Sequence, residues 1–143
     1  MIERISLGLV LVFFILAFAI RNIRTYLSTR QSIRGESLKL TLSVLISTFI
    51  YLLILLRLTA LDSKWILELD IFNSNTFKYV GFGLVLTGFI LGILALITMR
   101  NSWRVGIKYD QKTELVKSGI YRFSRNPYFL SYDILTLGYV LVY

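Results

Sequence analysis

Between two apolar runs the chain carries SWRVGIKYDQKTELVKSGIYRFSRNPYFL, residues 102–130, which holds most of the groups able to do chemistry. Counting Arg100 just upstream, this stretch has seven of the sixteen cations, the only proline, and two closely spaced Tyr/Arg pairs. Tyr121, Phe123, Tyr128 and Phe129 supply rings, and Arg122 and Arg125 supply charge within the same few residues. Aromatic faces stack flat bases and attract cations through the ring quadrupole. Guanidinium groups and backbone amides hold carboxylates.

A methyl donor such as S-adenosylmethionine asks for those three things: an adenine to stack, a carboxylate to neutralise and a sulfonium to hold. The residue types meet that need. They also describe an ordinary membrane border, where aromatic belts and cytoplasmic arginines occur without any ligand. Local grammar adds a frame. Ser118-Gly119 is a turn signal, since glycine tolerates positive φ. Asn126-Pro127 reads as a helix start, with Asn as cap and Pro where its missing N–H is not needed. The free N–H groups of that first turn form a ready anion site.

Composition narrows the chemistry. The chain has 143 residues and is 56% hydrophobic, above the roughly 45–50% of a soluble domain. It has no Cys and no His, which excludes disulfides, thiolate nucleophiles, the commonest general base and the commonest metal ligands. No metal site is expected and no catalytic residue is assigned. The net charge of +8 fits basic loops of a membrane protein. No nucleic-acid partner is expected, because no RNA-binding motif accompanies the charge.

A bilayer core takes about 20 apolar residues per helix. Residues 5–20, 40–56, 79–99 and 128–143 are apolar runs, the last interrupted by Asp133. They predict an all-α integral membrane bundle of three helices and a barely complete fourth, with the motif loop before the last. Ala17-Phe18-Ala19 fits a signal-peptidase pattern, but Glu3 and Arg4 cancel and a basic stretch follows, so an uncleaved anchor is favoured. Cations dominate the first and third loops and are cancelled in the second. The positive-inside rule therefore puts loops 21–39 and 100–125 in the cytoplasm, and the N-terminus and loop 58–78 outside a cell membrane crossed several times. Trp65 and Tyr79 suit an outer interfacial belt and Trp103 an inner one. Gly88 and Gly92 form a GxxxG pair for close packing within the bundle, or for a homodimer. Asp133 is a costly membrane carboxylate, read either as a ligand contact or as a partner of Arg125 or a nearby hydroxyl.

The line ELVKSGIYRFSRNPYF resembles the motif of the isoprenylcysteine carboxyl methyltransferase family, usually close to LVTSGIYRYxRHPxY. The resemblance is close from Trp103 to Leu130 and weak upstream, where helix, basic loop and helix keep the family's order. It implies a membrane-embedded methyltransferase that uses S-adenosylmethionine on a lipid-like or prenylated acceptor. It also implies donor contacts at Thr113, Glu114, Leu115 and Val116, then Tyr121, then Asn126, Pro127, Tyr128 and Phe129. Asn126 replaces the family's histidine and Phe129 its last tyrosine, removing a proton carrier and a hydroxyl. The family continues past the position of Tyr143 with a helix hairpin and an Arg/Glu segment. The expectation is a single membrane domain over 1–143, looking C-terminally truncated, with little activity by itself. Phospholipid N-methylation is the nearest alternative activity. A non-catalytic protein whose basic loops bind anionic membrane lipid is the alternative from another class.

Topology is testable because the chain lacks cysteine. With single cysteines and an impermeant thiol reagent on intact cells, a cysteine at Ser63 should label and one at Lys112 should not. The reverse pattern would overturn the orientation.

Overall fold

The computed structural model describes residues 2–35, 38–59, 74–105 and 115–142. They form four helices: α1 (Ile2–Thr29), α2 (Leu38–Thr59), α3 (Asn75–Met99) and α4 (Pro127–Val142). Short 3-10 turns lie at Arg100–Ser102 and Gly119–Arg122. No strand occurs among the described residues, only an isolated parallel bridge between Arg34 and Val105. The protein is an all-α membrane bundle. Three helices are long and apolar enough to cross a membrane, and α4 is a shorter apolar helix.

The closest packing joins α3 to α4. A Cβ on Gly88 would lie 2.7 Å from the Leu135 nitrogen and 2.8 Å from the Ser131 carbonyl oxygen. A Cβ on Gly138 would lie 2.7 Å from the Val85 nitrogen and 2.8 Å from the Gly81 carbonyl oxygen. The backbones therefore approach closely where a glycine of one helix offers no side chain, which is how small residues associate helices in lipid. Gly92, one turn beyond Gly88, leaves room for the Phe14 ring of α1. Both members of the GxxxG pair are thus buried within the chain. Around this seam Leu7, Leu11, Phe14, Val85, Leu135 and Tyr139 form the core, with Leu58 from α2. The Tyr139 hydroxyl donates to the Leu7 carbonyl at 2.6 Å, tying α4 to α1 where no water is available.

Helix α1 runs past its apolar stretch. Residues from Arg21 to Thr29, expected as the start of a loop, are helical. The reason is tertiary: Thr25 is buried and Asn22 is engaged by Trp103, so this polar extension has a surface to pack on. At about 1.5 Å per residue, the 28 residues measure about 42 Å, longer than a hydrocarbon core of about 30 Å. Ala17-Phe18-Ala19 lies mid-helix, with Phe18 packed on Trp103 and Tyr128. In contrast, α2 leaves most of its apolar surface exposed, including Leu45, Ile46 and Phe49.

Loop pairing agrees with the charge pattern in relative terms. The first and third loops meet at one end: the Gly35 N–H donates to the Val105 carbonyl and the Val105 N–H to the Ile33 carbonyl, both at 2.9 Å. At the opposite end Lys78 pairs with Glu3 at 2.7 Å, joining the N-terminal turn to the start of α3. Which end faces the cytoplasm stays a proposal from the loop charges.

The glycine seam makes a clear stability prediction. Gly88→Leu should destabilise by at least about 1–3 kcal/mol, the usual cost of overpacking, because the atoms it meets are backbone. Gly83→Ala has nothing within 4 Å and should stay within about 1 kcal/mol of the parent. Reversible unfolding in detergent followed by circular dichroism compares the two.

Candidate functional site at the loop end of the bundle

The motif residues gather where α3 ends and α4 begins. Helix α3 stops at Met99, and Arg100 turns the chain with φ 43°. Gly119 then adopts φ +58°, and a Cβ there would approach the Thr98 methyl at 3.1 Å and its hydroxyl at 3.2 Å. Positive φ and the tight approach of Thr98 both favour glycine at this position. It seats the Gly119–Arg122 turn on the end of α3, and so places Tyr121.

As the Asn-Pro pair predicts, α4 starts at Pro127. The Asn126 carbonyl accepts the first helical bond from the Leu130 N–H at 3.1 Å, and its own N–H donates to the Ser124 hydroxyl at 3.2 Å. No side-chain cap is described there. Immediately after, Tyr128 becomes the hub of an aromatic cluster. Its ring stacks on Phe14 at 5.6 Å and on Phe18 at 5.5 Å, and meets Trp103 edge-on at 5.1 Å. Trp103, read from sequence as a belt residue, is only 4% exposed. Its indole N–H donates to the Asn22 side-chain oxygen at 2.7 Å. Burying the apolar body while satisfying the one donor is how tryptophan packs at a membrane border.

Placement divides the expected site residues. Thr113 and Glu114 lie outside the described residues. Leu115 is exposed and Val116 half-buried before the turn. Tyr121 is half-buried; burial pushes its phenol up to about 12, with the attraction of Arg21 pulling the other way. Asn126 and Phe129 are exposed, Pro127 is buried, and Tyr128 is spent largely on packing. Arg122 and Arg125 are exposed beside them. Asp133 stands on the exposed face of α4 and makes no ion pair with Arg125 among the described residues.

Several groups here escape sequence reading. Phe14, Phe18 and Asn22 come from the far end of the chain, and Arg21 brings its guanidinium alongside Tyr121, Arg24 and Arg100. Their only local signal is a polar, basic helical periodicity where the first apolar run stops. Further into the membrane, Tyr51 and Tyr132 make an edge-to-face pair at 5.3 Å between α2 and α4. The Tyr132 and Thr136 hydroxyls are buried there without a hydrogen-bond partner.

Residues 77–143 match the model of the phospholipid methyltransferase family. The match spans slightly under half of the 143-residue chain, taking in nearly all of α3, the motif and α4. It supports a membrane methyltransferase. No curated protein and no solved structure matches the chain.

The Trp103–Asn22 bond carries a measurable load. Asn22→Leu leaves a buried indole donor unsatisfied and should cost about 1–3 kcal/mol. Chemical denaturation in micelles, followed by helix ellipticity, is the check. Asn22→Gln should recover part of the loss if it reaches the same N–H.

Proposed function

We propose that the chain is an S-adenosylmethionine-dependent methyltransferase acting on a lipid-like acceptor at the loop end of the bundle. The observation that carries this reading is the match over residues 77–143, which spans the helix pair that positions the aromatic and basic motif. The exposed and half-buried groups fit the donor: Tyr121 and Phe129 offer faces for the base, and Arg122, Arg125 and the first-turn amides of α4 suit a carboxylate. S-adenosylmethionine supplies an already activated methyl group, so alignment and exclusion of water count for more than a strong base.

That balance suits a chain without His or Cys. A carboxylate acceptor arrives ionised at neutral pH and needs no base, which favours carboxyl O-methylation in line with the resemblance of residues 114–129 to the isoprenylcysteine enzymes. The family named by the match favours a second reading, methylation of a phospholipid amine. An amine must shed a proton, and Asp133, in the second turn of α4, is the described carboxylate nearest in sequence to the motif. The two readings part on one variant: Asp133→Asn should spare transfer to a prenylcysteine and depress transfer to an ethanolamine lipid.

Donor binding is the direct test. Calorimetry with S-adenosylhomocysteine in detergent should show saturable binding, weakened in Tyr121→Ala by about 1–3 kcal/mol, the usual size of base stacking on an aromatic ring. Unchanged affinity would remove Tyr121 from the site. Absence of binding to the parent chain would count against the donor itself.

A further inference from the structure

Arg21 stands where the apolar run of α1 stops, one residue before the Asn22 that anchors Trp103. Its Nε and Nη2 atoms are buried, and neither has a hydrogen-bond partner. Buried guanidinium nitrogens with open donors are costly even where the side chain is half-buried, and structures normally resolve that cost by pairing the charge. Its protein surroundings do the opposite. Arg24 follows one turn later on the same helix face, Arg100 comes in from the end of α3, and both repel Arg21. Tyr121, a neutral phenol, closes another side. Of the two side-chain carboxylates among the described residues, Glu3 is held by Lys78 at the opposite end of the bundle, and Asp133 is exposed on α4 and is not among the charges acting on Arg21. Three cations from two helices therefore converge without a described anion.

We infer that Arg21, flanked by Arg24 and Arg100, seats the phosphate of a membrane lipid headgroup at the loop end of the bundle. The ligand must be an oxyanion, because the open Nε and Nη2 present the planar fork that two oxygens of a phosphate match. The depth selects a lipid rather than a free ion. Arg21 sits at the boundary between apolar and polar α1, one residue before the Asn22 that holds the buried indole of Trp103, at the level where headgroups lie. The site adjoins Tyr121, one of the proposed donor contacts, and it stands whether or not the chain transfers methyl groups.

The test uses the full chain in a phosphate-free detergent, with Trp65→Phe so that Trp103, bonded to the Asn22 next to Arg21, is the sole tryptophan reporter. Dioctanoyl phosphatidylglycerol should change Trp103 fluorescence saturably. The affinity should fall by about tenfold or more, at least about 1.4 kcal/mol, in Arg21→Gln, and less in Arg21→Lys. Dioctanoylglycerol, which lacks the phosphate, should give no saturable change, and inorganic phosphate should act only at far higher concentration. Equal affinity in Arg21→Gln, or an equal response to dioctanoylglycerol, overturns the site. Inorganic phosphate binding as tightly as the lipid overturns the lipid assignment. Displacement of the lipid by S-adenosylhomocysteine, with both lost in Arg21→Gln, hands the arginine to the donor instead. Far-ultraviolet ellipticity checks folding; should Arg21→Gln not fold, Arg100→Gln serves, with a several-fold loss expected and an unchanged affinity overturning the site. Loss of lipid response with donor binding intact leaves the methyltransferase reading standing, and the converse leaves this one.

Discussion

Helices α3 and α4 approach until a methyl group would not fit between their backbones, and the other elements take their places from that contact. In lipid no hydrophobic force presses two apolar helices together, since the acyl chains are as apolar as leucine. What remains is dispersion, which grows with the number of atoms at contact distance. Gly81, Gly88 and Gly138 supply it by removing side chains on both sides of the seam. Each glycine meets backbone atoms of the facing helix, and backbone has no rotamers to yield. The end of α3 and the first turn of α4 are therefore held in one geometry, and the Gly119 turn, packed on Thr98, inherits it.

The N-terminal helix is fitted to this pair by rings. Phe14 fills the space above Gly92 and then stacks on Tyr128. Phe18 continues the stack, and Trp103 closes it edge-on. Such pairs add about 0.5–1.5 kcal/mol each beyond the area they bury. The Asn22 side chain then satisfies the indole, and the bridge from Arg34 to Val105 pins the first loop to the third. Cation-rich segments from both halves of the chain thus meet at one end, despite their mutual repulsion. Coulomb repulsion between exposed charges in water is screened within about 10 Å, whereas buried ring contacts are not.

The membrane spans, the start of α4 at Pro127 and the close packing of Gly88 and Gly92 are legible in the sequence because each depends on local chemistry. A missing N–H, a missing Cβ or a run of apolar residues says the same thing in any context. The extension of α1 beyond Ile20 is not legible, since Asn22 is held by Trp103, 81 residues away, and Thr25 is buried only once the helices pack. Tyr121 and Tyr128 look alike in sequence, both beside arginines in one motif. Both are half-buried, and ring packing separates them: Tyr128 stacks on Phe14 and Phe18 and meets Trp103. Asp133 shows the same limit: its cost in a membrane is readable, but the face of α4 it occupies follows from which side of that helix the glycines of α3 claim.

Burial also divides the motif by what its members are free to do. Withdrawing Tyr128 to meet a ligand would break two stacked contacts and the edge contact to Trp103, and would open space beside Gly92. At about 0.5–1.5 kcal/mol per pair, before the lost area, that exceeds most of what one stacked base returns, about 1–3 kcal/mol. Pro127 is buried for the same reason, as the first residue of the helix that carries the hub. Tyr121 and Asn126 take no part in that stack, Phe129 meets it only edge-on at 6.3 Å from Tyr128, and all three keep accessible surface. The inward members of the motif build the wall, and the outward members are the ones a ligand can reach without disturbing it. The spacing Tyr121 to Phe129 then reflects the helix start between them, which points Pro127 and Tyr128 into the bundle and leaves Asn126 and Phe129 facing out.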